Sequence, residues 1–305
     1  MVIATTYNRN DMLPEAIESF LGQDYPYKKL YIIDDGSTDG TGDTCRQYVQ
    51  HNQGSVFYRR KENGGCASAR NFGLNLINDT IGFVCFLDSD DRLLPGKLSR
   101  EIELLNHRSD ADFAYSDTIV YNDKTAKKRL SKVVSAENPK KIAISHFRTN
   151  NICCGAVMYR VRAVLTKRFD ERLRYNEDSD FLQQICIEYN GVYSPVPGYW
   201  AREHEESKSK NLVEIQKAVL YTNKKISRMY PEFYHQHSKL IERRNRKIGR
   251  MHFVALMAEQ RYNEAVHYMT NPISRRIYYY FLALLYALKP YIKKLLDYPK
   301  KESKY

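Results

Sequence analysis

The sequence predicts an α/β fold with a mostly parallel sheet flanked by helices, followed by a basic helical region at the C-terminal end. Short apolar segments alternate with helical patterns through the first part of the chain, which is typical of βαβ units. Clusters rich in Gly, Asp and Asn follow the apolar segments, as turns at strand ends do. Residues 201–305 carry 22 Lys and Arg against 10 Asp and Glu, whereas residues 1–200 carry 26 of each.

The elements of the first part can be assigned in chain order. The predicted strands cover 2–5, 30–34, 55–59 and 81–87, and the predicted helices cover 13–21, a segment from about 41, 66–77 and a segment from about 97. Ligands of open α/β sheets bind outside the carboxyl ends of the strands. We therefore expect the turn clusters "DDGSTDG", "ENGG" and "DSDD" to lie along one edge of the sheet.

The rest of the chain is mixed and then helical. Strand-like segments cover 111–117 and 153–161, a helical segment covers 177–189, and the pattern beyond about 207 is helical and basic. We expect a catalytic or binding body over 1–208, divided at about residue 110. Residues 209–305 would form the helical, basic C-terminal region.

Composition excludes several classes of protein. A hydrophobic fraction of 43% and 25 tyrosines are incompatible with global disorder. The six cysteines form no CxxC pair, so we expect reduced thiols in a cytoplasmic protein rather than a zinc site or a disulfide framework. We expect no signal peptide, and the longest uncharged run near the C-terminal end, "IYYYFLALLYAL", has 12 residues, too few to span a bilayer.

The stretch "FLDSDD" concentrates negative charge at the end of an apolar strand. Asp88, Asp90 and Asp91 would repel one another if buried, unless a cation or a basic partner offsets their charge. The cluster could be a solvated turn or a helix cap. Three carboxylates exceed what a cap needs, however, and oxygen-preferring ions such as Mg²⁺ or Mn²⁺ are held in this way together with substrate phosphates.

Two further clusters follow strands and are ambiguous when taken alone. Asp35 in "DDGSTDG" could accept hydrogen bonds from a base or ribose, or could simply cap the turn. In "ENGGCASARNFG", Gly65 would allow close backbone approach and Arg70 could bind phosphate oxygens. A Gly-Gly turn with a surface arginine is the alternative.

The roles of the polar residues later in the chain are also ambiguous when each is taken alone. Glu177 and Asp178 begin a predicted helix, where acids also occur simply because they suit the helix dipole, and one of them could be a general base. His204 could bind a metal or a phosphate, although a lone histidine is more often structural or exposed.

Taken in order, five motifs resemble the family 2 glycosyltransferases, which have the GT-A (Rossmann-like) fold. They are "TTYNR", "IIDDGSTDG", "NGGCASARNFG", "FLDSDD" and "NEDSDF", within about residues 1–210. The resemblance implies a nucleotide-sugar donor, usually a UDP-sugar, a divalent cation (Mn²⁺ or Mg²⁺) and a single inverting displacement. The acceptor would be a hydroxyl of a glycan or a lipid-linked glycan, with a role in cell-surface polysaccharide synthesis. The resemblance makes 1–208 the catalytic domain, with a nucleotide-binding part at about 1–110 and an acceptor-binding part at about 111–208.

The resemblance also assigns donor contacts. Thr5 and Tyr7 match first-strand positions that contact the nucleobase, and Asp35 matches the uracil contact. Arg70 matches a basic position near the base and diphosphate, and Asp88 of the DxD motif faces the ribose or the water shell of the metal.

The resemblance assigns metal binding and the catalytic base to other residues. The resemblance assigns Asp90 and His204 to the cation, with Asp88 beside them, and Asp178 to the catalytic base. Arg9, Gly65, Asp91 and Glu177 are further candidates at the same site.

The sequence departs from the family pattern in two places. Thr5 stands where proline is frequent, and this change should have little effect. No QxxRW follows the acidic motif, only Gln183 and Gln184. Because QxxRW accompanies processive synthases, the sequence favours addition of a single sugar.

The basic end suggests a membrane contact. Between residues 275 and 296, apolar residues recur at helical spacing and Lys and Arg flank them. Such a helix could lie on an anionic membrane surface, making the protein peripheral on the inner face of the membrane, or could pack on the body.

Two rival functions fit less well. A nucleotidyltransferase would need a Gly-rich first loop bearing lysine, which "TTYNRND" does not supply. A nucleic-acid-binding module would use the net charge of +12, but its acidic clusters would repel phosphate, so no nucleic acid is expected.

Overall fold

The computed structural model of the chain describes residues 1–135, 139–207, 211–261 and 264–265. Within these residues nine strands form one mixed sheet. The strands are β1 (Val2–Thr6), β2 (Leu30–Asp34), β3 (Val56–Arg60), β4 (Phe83–Asp88), β5 (Arg92–Leu93), β6 (Phe113–Asn122), β7 (Lys127–Ser131), β8 (Val157–Arg160) and β9 (Gly191–Glu203).

Helices cover both faces of the sheet and continue beyond it. In the described residues they are α1 (Leu13–Leu21), α2 (Thr41–His51), α3 (Cys66–Leu74), α4 (Lys97–His107), α5 (Pro139–Thr149), α6 (Val161–Val164), α7 (Glu177–Glu188), α8 (Leu212–Met229) and α9 (Pro231–Ala258). A short 3₁₀ turn at Cys154–Ala156 precedes β8. The first four strands and helices therefore agree with the sequence prediction to within a few residues.

The strand order is β3-β2-β1-β4-β8-β6-β9-β5, and β7 pairs with β6. Strands β3, β2, β1 and β4 are parallel, whereas β8 is antiparallel to both β4 and β6. Every residue of β1 is buried, as expected for a parallel strand covered by helices on both faces.

Two apolar clusters fill the space on the two sides of the sheet. Ile3 points into the cluster that includes side chains of α3, α5 and α7, while Val2 and Ala4 point into the one that includes side chains of α1, α2 and α4. This alternation follows from the period of two along a strand. The two clusters fix the strand ends, and thus the edge at which the polar motifs lie.

β7 occupies a special position. β6 pairs with β9 along one side, while its other side pairs first with β8, through Phe113–Tyr115, and then with β7, through Thr118–Asn122. β7 therefore continues the line of β8 beyond the carboxyl end of β4. Within the described residues, the other side of β7 pairs with no strand.

The helices after the sheet pack on one another and on the body. α8 and α9 form a pair, and α9 bends at His237, where the backbone leaves helical geometry. No helix of the described residues is both long enough and apolar enough to cross a membrane. The predicted membrane-surface segment 275–296 lies outside the described residues, and the predicted domain division at 208 stays a prediction.

Candidate active site

Three polar motifs meet at the carboxyl edge of the parallel strands. Thr5 of β1 is in register with Ile33 of β2 on one side and with Asp88 of β4 on the other. Asp35 follows β2 directly, and its backbone N–H donates to the Thr6 carbonyl at 2.9 Å. The expectation that these motifs share one edge is therefore confirmed.

Asp35 organises the glycine loop after β3. Its carboxylate accepts hydrogen bonds from the N–H groups of Gly64 and Gly65, at 3.0 and 2.7 Å, and pairs with Lys61 Nζ at 2.8 Å. Gly65 has a φ of 89°, a conformation that a side chain would strain. The Asp35 carboxylate thus fixes the shape of this loop. A nucleobase bound by Asp35 would use the same two oxygens that accept from Lys61, Gly64 and Gly65.

The other first-strand positions flank this loop. The Thr5 hydroxyl lies 3.6 Å from Cys66 Sγ at the start of α3. Tyr7 is half exposed, so its ring is accessible to a ligand. Arg9 points to the other side of the edge, where its guanidinium donates to Glu206 at 2.6 Å.

Arg70 joins the two acidic motifs across the site. Its guanidinium donates to Asp88 Oδ1 at 2.7 Å and to Glu177 Oε1 at 3.2 Å, and it lies over the Phe169 ring. Arg70 is buried, so solvent screens these charges little. The arginine therefore holds the end of β4 against the start of α7.

Asp91 lies behind the acidic motif rather than at its surface. It accepts the backbone N–H of Arg202 at 2.9 Å and contacts the Tyr199 hydroxyl. Burial, with the charges of Asp90 and Asp88 nearby, holds the pKa of Asp91 well above its usual value. Tyr199 also accepts the backbone N–H of Asp88 at 3.2 Å, so it supports the motif from below.

Asp90 is directed the other way, towards β9. Its Oδ2 lies 2.9 Å from His204 Nε2, within hydrogen-bond distance, and its side chain remains 26% exposed. The side chain of Asp88 is 33% exposed. Two accessible carboxylates and an imidazole thus lie near the point where β4 and β9 end.

These donors suit a divalent cation that is shared with a substrate. No three His, Cys, Asp or Glu side chains of the described residues form a complete metal site of their own. Mg²⁺ and related ions are often held by one or two carboxylates together with substrate phosphates. The residues present fit a cation of that kind.

The start of α7 carries the remaining predicted acids. Asn176 precedes the helix in the left-handed conformation (φ 63°), Glu177 is buried, and Asp178 is partly buried. The Ser179 N–H donates to Asp178 Oδ1 at 2.7 Å. Asp178 is therefore oriented locally but still accessible to a ligand.

A polar network supports this turn from behind. The Ser179 hydroxyl contacts Asn150 and lies 3.2 Å from Nε2 of buried His146. Burial lowers the pKa of His146 to about 4. The imidazole is therefore neutral at physiological pH and acts as a hydrogen-bonding support.

Sequence reasoning missed several supporting residues. Tyr199, Lys61 and Gly155 all belong to the site or its support, and Lys225 on α8 pairs with Asp180 on α7. They lie outside the acidic and glycine-rich motifs and are brought close only by long-range packing. For Lys225, the structure supplies the reason for the contact, because the buried acid Asp180 needs a cation.

The six cysteines are free, as the sequence predicts. Cys45, Cys85, Cys154 and Cys186 are buried, and burial raises the pKa of the Cys45 thiol to about 12. They are packing residues rather than nucleophiles.

The chain is similar in sequence to known proteins. TuaG of Bacillus subtilis (strain 168), named for teichuronic acid biosynthesis, is 37% identical over 108 residues, which are 35% of this chain and 42% of TuaG. The chain thus spans less than half of TuaG's own length.

Two solved structures share the fold. The S. aureus TarS fragment 1–349 in complex with UDP-GlcNAc has a TM-score of 0.58 and 20% identity, over 74% of this chain and 66% of that one. The mannosyltransferase PcManGT from Pyrobaculum calidifontis, in complex with GDP-Man and Mn²⁺, has a TM-score of 0.60 and 16% identity, over 96% of this chain and 81% of that one.

These likenesses show a GT-A fold, as the sequence resemblance implies. The sequence profile described as Glycosyl transferase family 2 matches residues 1–169, more than half of the chain. With the motifs gathered at one edge of such a fold, the chain belongs to glycosyl transferase family 2.

Proposed function

We propose that this chain transfers a sugar from a nucleotide-sugar, most simply a UDP-sugar, to a hydroxyl of a glycan or lipid-linked glycan, with inversion at the anomeric carbon. The role would be in cell-surface polysaccharide synthesis, which the name of TuaG supports. The proposed location is the cytoplasm, with a peripheral membrane contact through 275–296.

The bridge made by Arg70 carries the proposal. It brings Asp88, at the end of β4, and Glu177, at the start of α7, to the same guanidinium at 2.7 and 3.2 Å. The two acidic motifs therefore face one cleft. A transferase needs this arrangement, since donor diphosphate and acceptor hydroxyl must lie on opposite sides of one sugar carbon.

The donor would bind along the β1–β2–β4 edge. Thr5, Tyr7 and Asp35 surround the place for the base, and Gly65, which has no side chain, allows the ligand to approach the protein backbone closely. Arg70 would hold Asp88 in position near the diphosphate, because its guanidinium is buried and already binds two carboxylates. Uridine nucleotides are the first donors to test, since TarS has been solved with UDP-GlcNAc.

Asp90, Asp88 and His204 would hold Mn²⁺ or Mg²⁺ together with the donor. When bound, the cation supplies positive charge that stabilises the diphosphate leaving group. The solved complex of PcManGT with GDP-Man and Mn²⁺ supports this choice of ion. Asp91 is kept behind the motif by Tyr199 and Arg202, so its proposed part is to shape the turn.

Asp178 would be the general base. The acceptor oxygen attacks the anomeric carbon while its proton passes to the Asp178 carboxylate, and the bond from that carbon to the diphosphate oxygen breaks. A single in-line displacement inverts the configuration. The leaving diphosphate needs no proton, so one carboxylate suffices and the two-carboxylate mechanism of glycoside hydrolysis does not apply.

The first experiment tests donor and metal together. Thermal unfolding is measured with UDP-, GDP- and dTDP-sugars, each with and without Mn²⁺, at donor concentrations up to the millimolar range. A ligand at 100 times its dissociation constant stabilises the native state by about 2.7 kcal/mol. A shift with one nucleotide class, only when Mn²⁺ is present, supports the proposal; no shift with any donor rejects it.

A further inference from the structure

The β6–β7 hairpin, residues 122–132, carries an unusual concentration of positive charge. It contains the cations Lys124, Lys127, Lys128, Arg129 and Lys132, against one acid, Asp123. All five cations are exposed. We call this segment the basic hairpin.

The turn of the basic hairpin is well formed. Asn122 Oδ1 accepts the N–H and the hydroxyl of Thr125, both at 3.0 Å, and Ala126 closes the turn with a φ of 52°. The five residues of β7 then pair in register with β6. The charges are therefore displayed on a defined strand rather than on a flexible tail.

One end of the basic hairpin touches the donor side of the cleft. Arg129 donates to Glu203 at 2.7 Å, and Asn122 donates to the other carboxylate oxygen at 3.3 Å. Glu203 is followed directly by His204, which contacts Asp90 at 2.9 Å. The turn of the basic hairpin is thus linked, through Glu203 and the adjoining His204, to the proposed metal position.

The other end touches the base side. The Lys132 carbonyl accepts from Asn151 at 2.7 Å. The neighbouring Asn150 contacts Ser179, the residue after Asp178. β7 therefore runs from the donor side to the base side of the cleft, and at about 3.4 Å per residue its five residues span roughly 17 Å.

Most of this charge is not neutralised by the protein. Arg129 is paired with Glu203, but within the described part of the chain no ion pair involves Lys124, Lys127, Lys128 or Lys132. Exposed, unpaired cations along one edge create a potential that attracts a negatively charged chain. The two accessible carboxylates of the site lie at the donor end of that path.

We propose that the basic hairpin binds a polyanionic acceptor, a glycan chain bearing phosphodiesters or carboxylates, and leads its end to Asp178. The proposal rests on the proposed function and specifies the acceptor class. An anionic membrane is the other surface that lysines could contact. The acceptor is favoured because both ends of the basic hairpin reach the cleft.

The test compares two triple variants of the full chain. The first is Lys124→Gln/Lys127→Gln/Lys128→Gln. The control is Lys239→Gln/Arg243→Gln/Lys247→Gln, which removes three exposed cations from α9, away from the cleft. Binding of fluorescent inorganic polyphosphate is measured over a range of salt concentrations, with neutral dextran as a second probe.

We expect the hairpin variant to bind polyphosphate about tenfold more weakly. The slope of log K against the logarithm of the salt concentration should become shallower by about two phosphate contacts, at about 0.7 per contact. The control should change by less than twofold, and dextran binding should not respond to either set. Equal losses in both variants would overturn the proposal. So would loss of binding to anionic vesicles with polyphosphate binding unchanged.

A donor assay separates this proposal from the proposed function. Hydrolysis of nucleotide-sugars without acceptor should be the same in the hairpin variant and the parent chain. If neither protein binds or hydrolyses any nucleotide-sugar, the proposed function fails while the polyphosphate result still stands. If the only effect of the hairpin variant is aggregation, the lysines merely protect an edge strand, and the proposal is wrong.

Discussion

Lys225 of α8 donates to Asp180 of α7 at 2.6 Å, and Asp180 has no exposed surface. The same ammonium contacts Asp170 at 3.0 Å. Asp180 lies two residues after the proposed base, so this ion pair ties the C-terminal helices to the proposed catalytic turn. A buried acid without its cation is costly.

Replacing Lys225 with methionine should therefore destabilise the protein by about 3 kcal/mol, because Asp180 would be left buried and unpaired. Urea unfolding measures this loss. Lys224→Met, at the exposed neighbouring position, is the matched control and should change stability by less than about 0.5 kcal/mol. Adding Asp180→Asn to the Lys225 variant should restore more than half of the loss; no restoration would contradict the argument.

Asp178→Asn should lower kcat by about 10³-fold, in the range seen when a general base is removed. Donor affinity should stay within about twofold, since Asp178 is on the acceptor side of the proposed reaction. Single-turnover kinetics and calorimetric donor binding measure the two quantities separately. Asp79→Asn, an exposed acid far from the cleft, is the control; an equal loss of binding and turnover would reject Asp178 as the base.

Asp90→Ala should abolish the part of donor binding that depends on Mn²⁺, because it removes an accessible carboxylate of the proposed metal site. Binding in the presence of EDTA should be alike in the variant and the parent. Calorimetry with and without Mn²⁺ tests both statements. Donor binding that keeps its full response to Mn²⁺ in the variant would exclude Asp90 as a ligand.

Gly155→Ala should destabilise the protein by about 1–3 kcal/mol, the usual cost of overpacking. A Cβ at this position would lie 2.1 Å from the Tyr199 ring, which must then move away from Asp88. Gly82→Ala is the control, since a Cβ there meets nothing within 4 Å. Thermal unfolding distinguishes the two; equal effects would show that Tyr199 is not held by this contact.

His146 makes stability depend on pH. Its pKa is lowered from 6.5 to about 4 by burial, so the unfolded chain binds more protons than the folded one between these values. Stability should fall as pH falls through this window, by about 2 kcal/mol between pH 7.5 and 5. Urea unfolding of the parent and of His146→Gln at both pH values measures the difference, which the variant should lose.

Much of the fold could be predicted because its signals are local. β2 and α1 follow the predicted bounds because apolar periodicity and turn residues mark both of their ends. By contrast, the segment 153–161 begins as a 3₁₀ turn, and only Val157–Arg160 forms a strand. Its backbone lies close against the ring of Tyr199, a contact distant in sequence that no local pattern encodes.

The site was predictable as motifs but not as contacts. Asp35, Asp88 and Asp90 stand at the expected edge, whereas the sequence alone did not indicate that Arg70 joins Asp88 to Glu177. Residues 107 positions apart meet there because α3 and α7 pack on the same face of the sheet. The roles assigned to these residues stay predictions until the variants are measured.

The contacts of α8 bear on how the enzyme can be dissected. Thr222 contacts Asn176, Lys225 contacts Asp180 and Tyr230 contacts Glu188. The C-terminal half of α8 therefore clasps α7 from its first turn to its last. A fragment trimmed just after the sheet would still contain every signature motif and yet lose that clasp. Chimeras that exchange acceptor preference should therefore graft α7 and α8 as a unit.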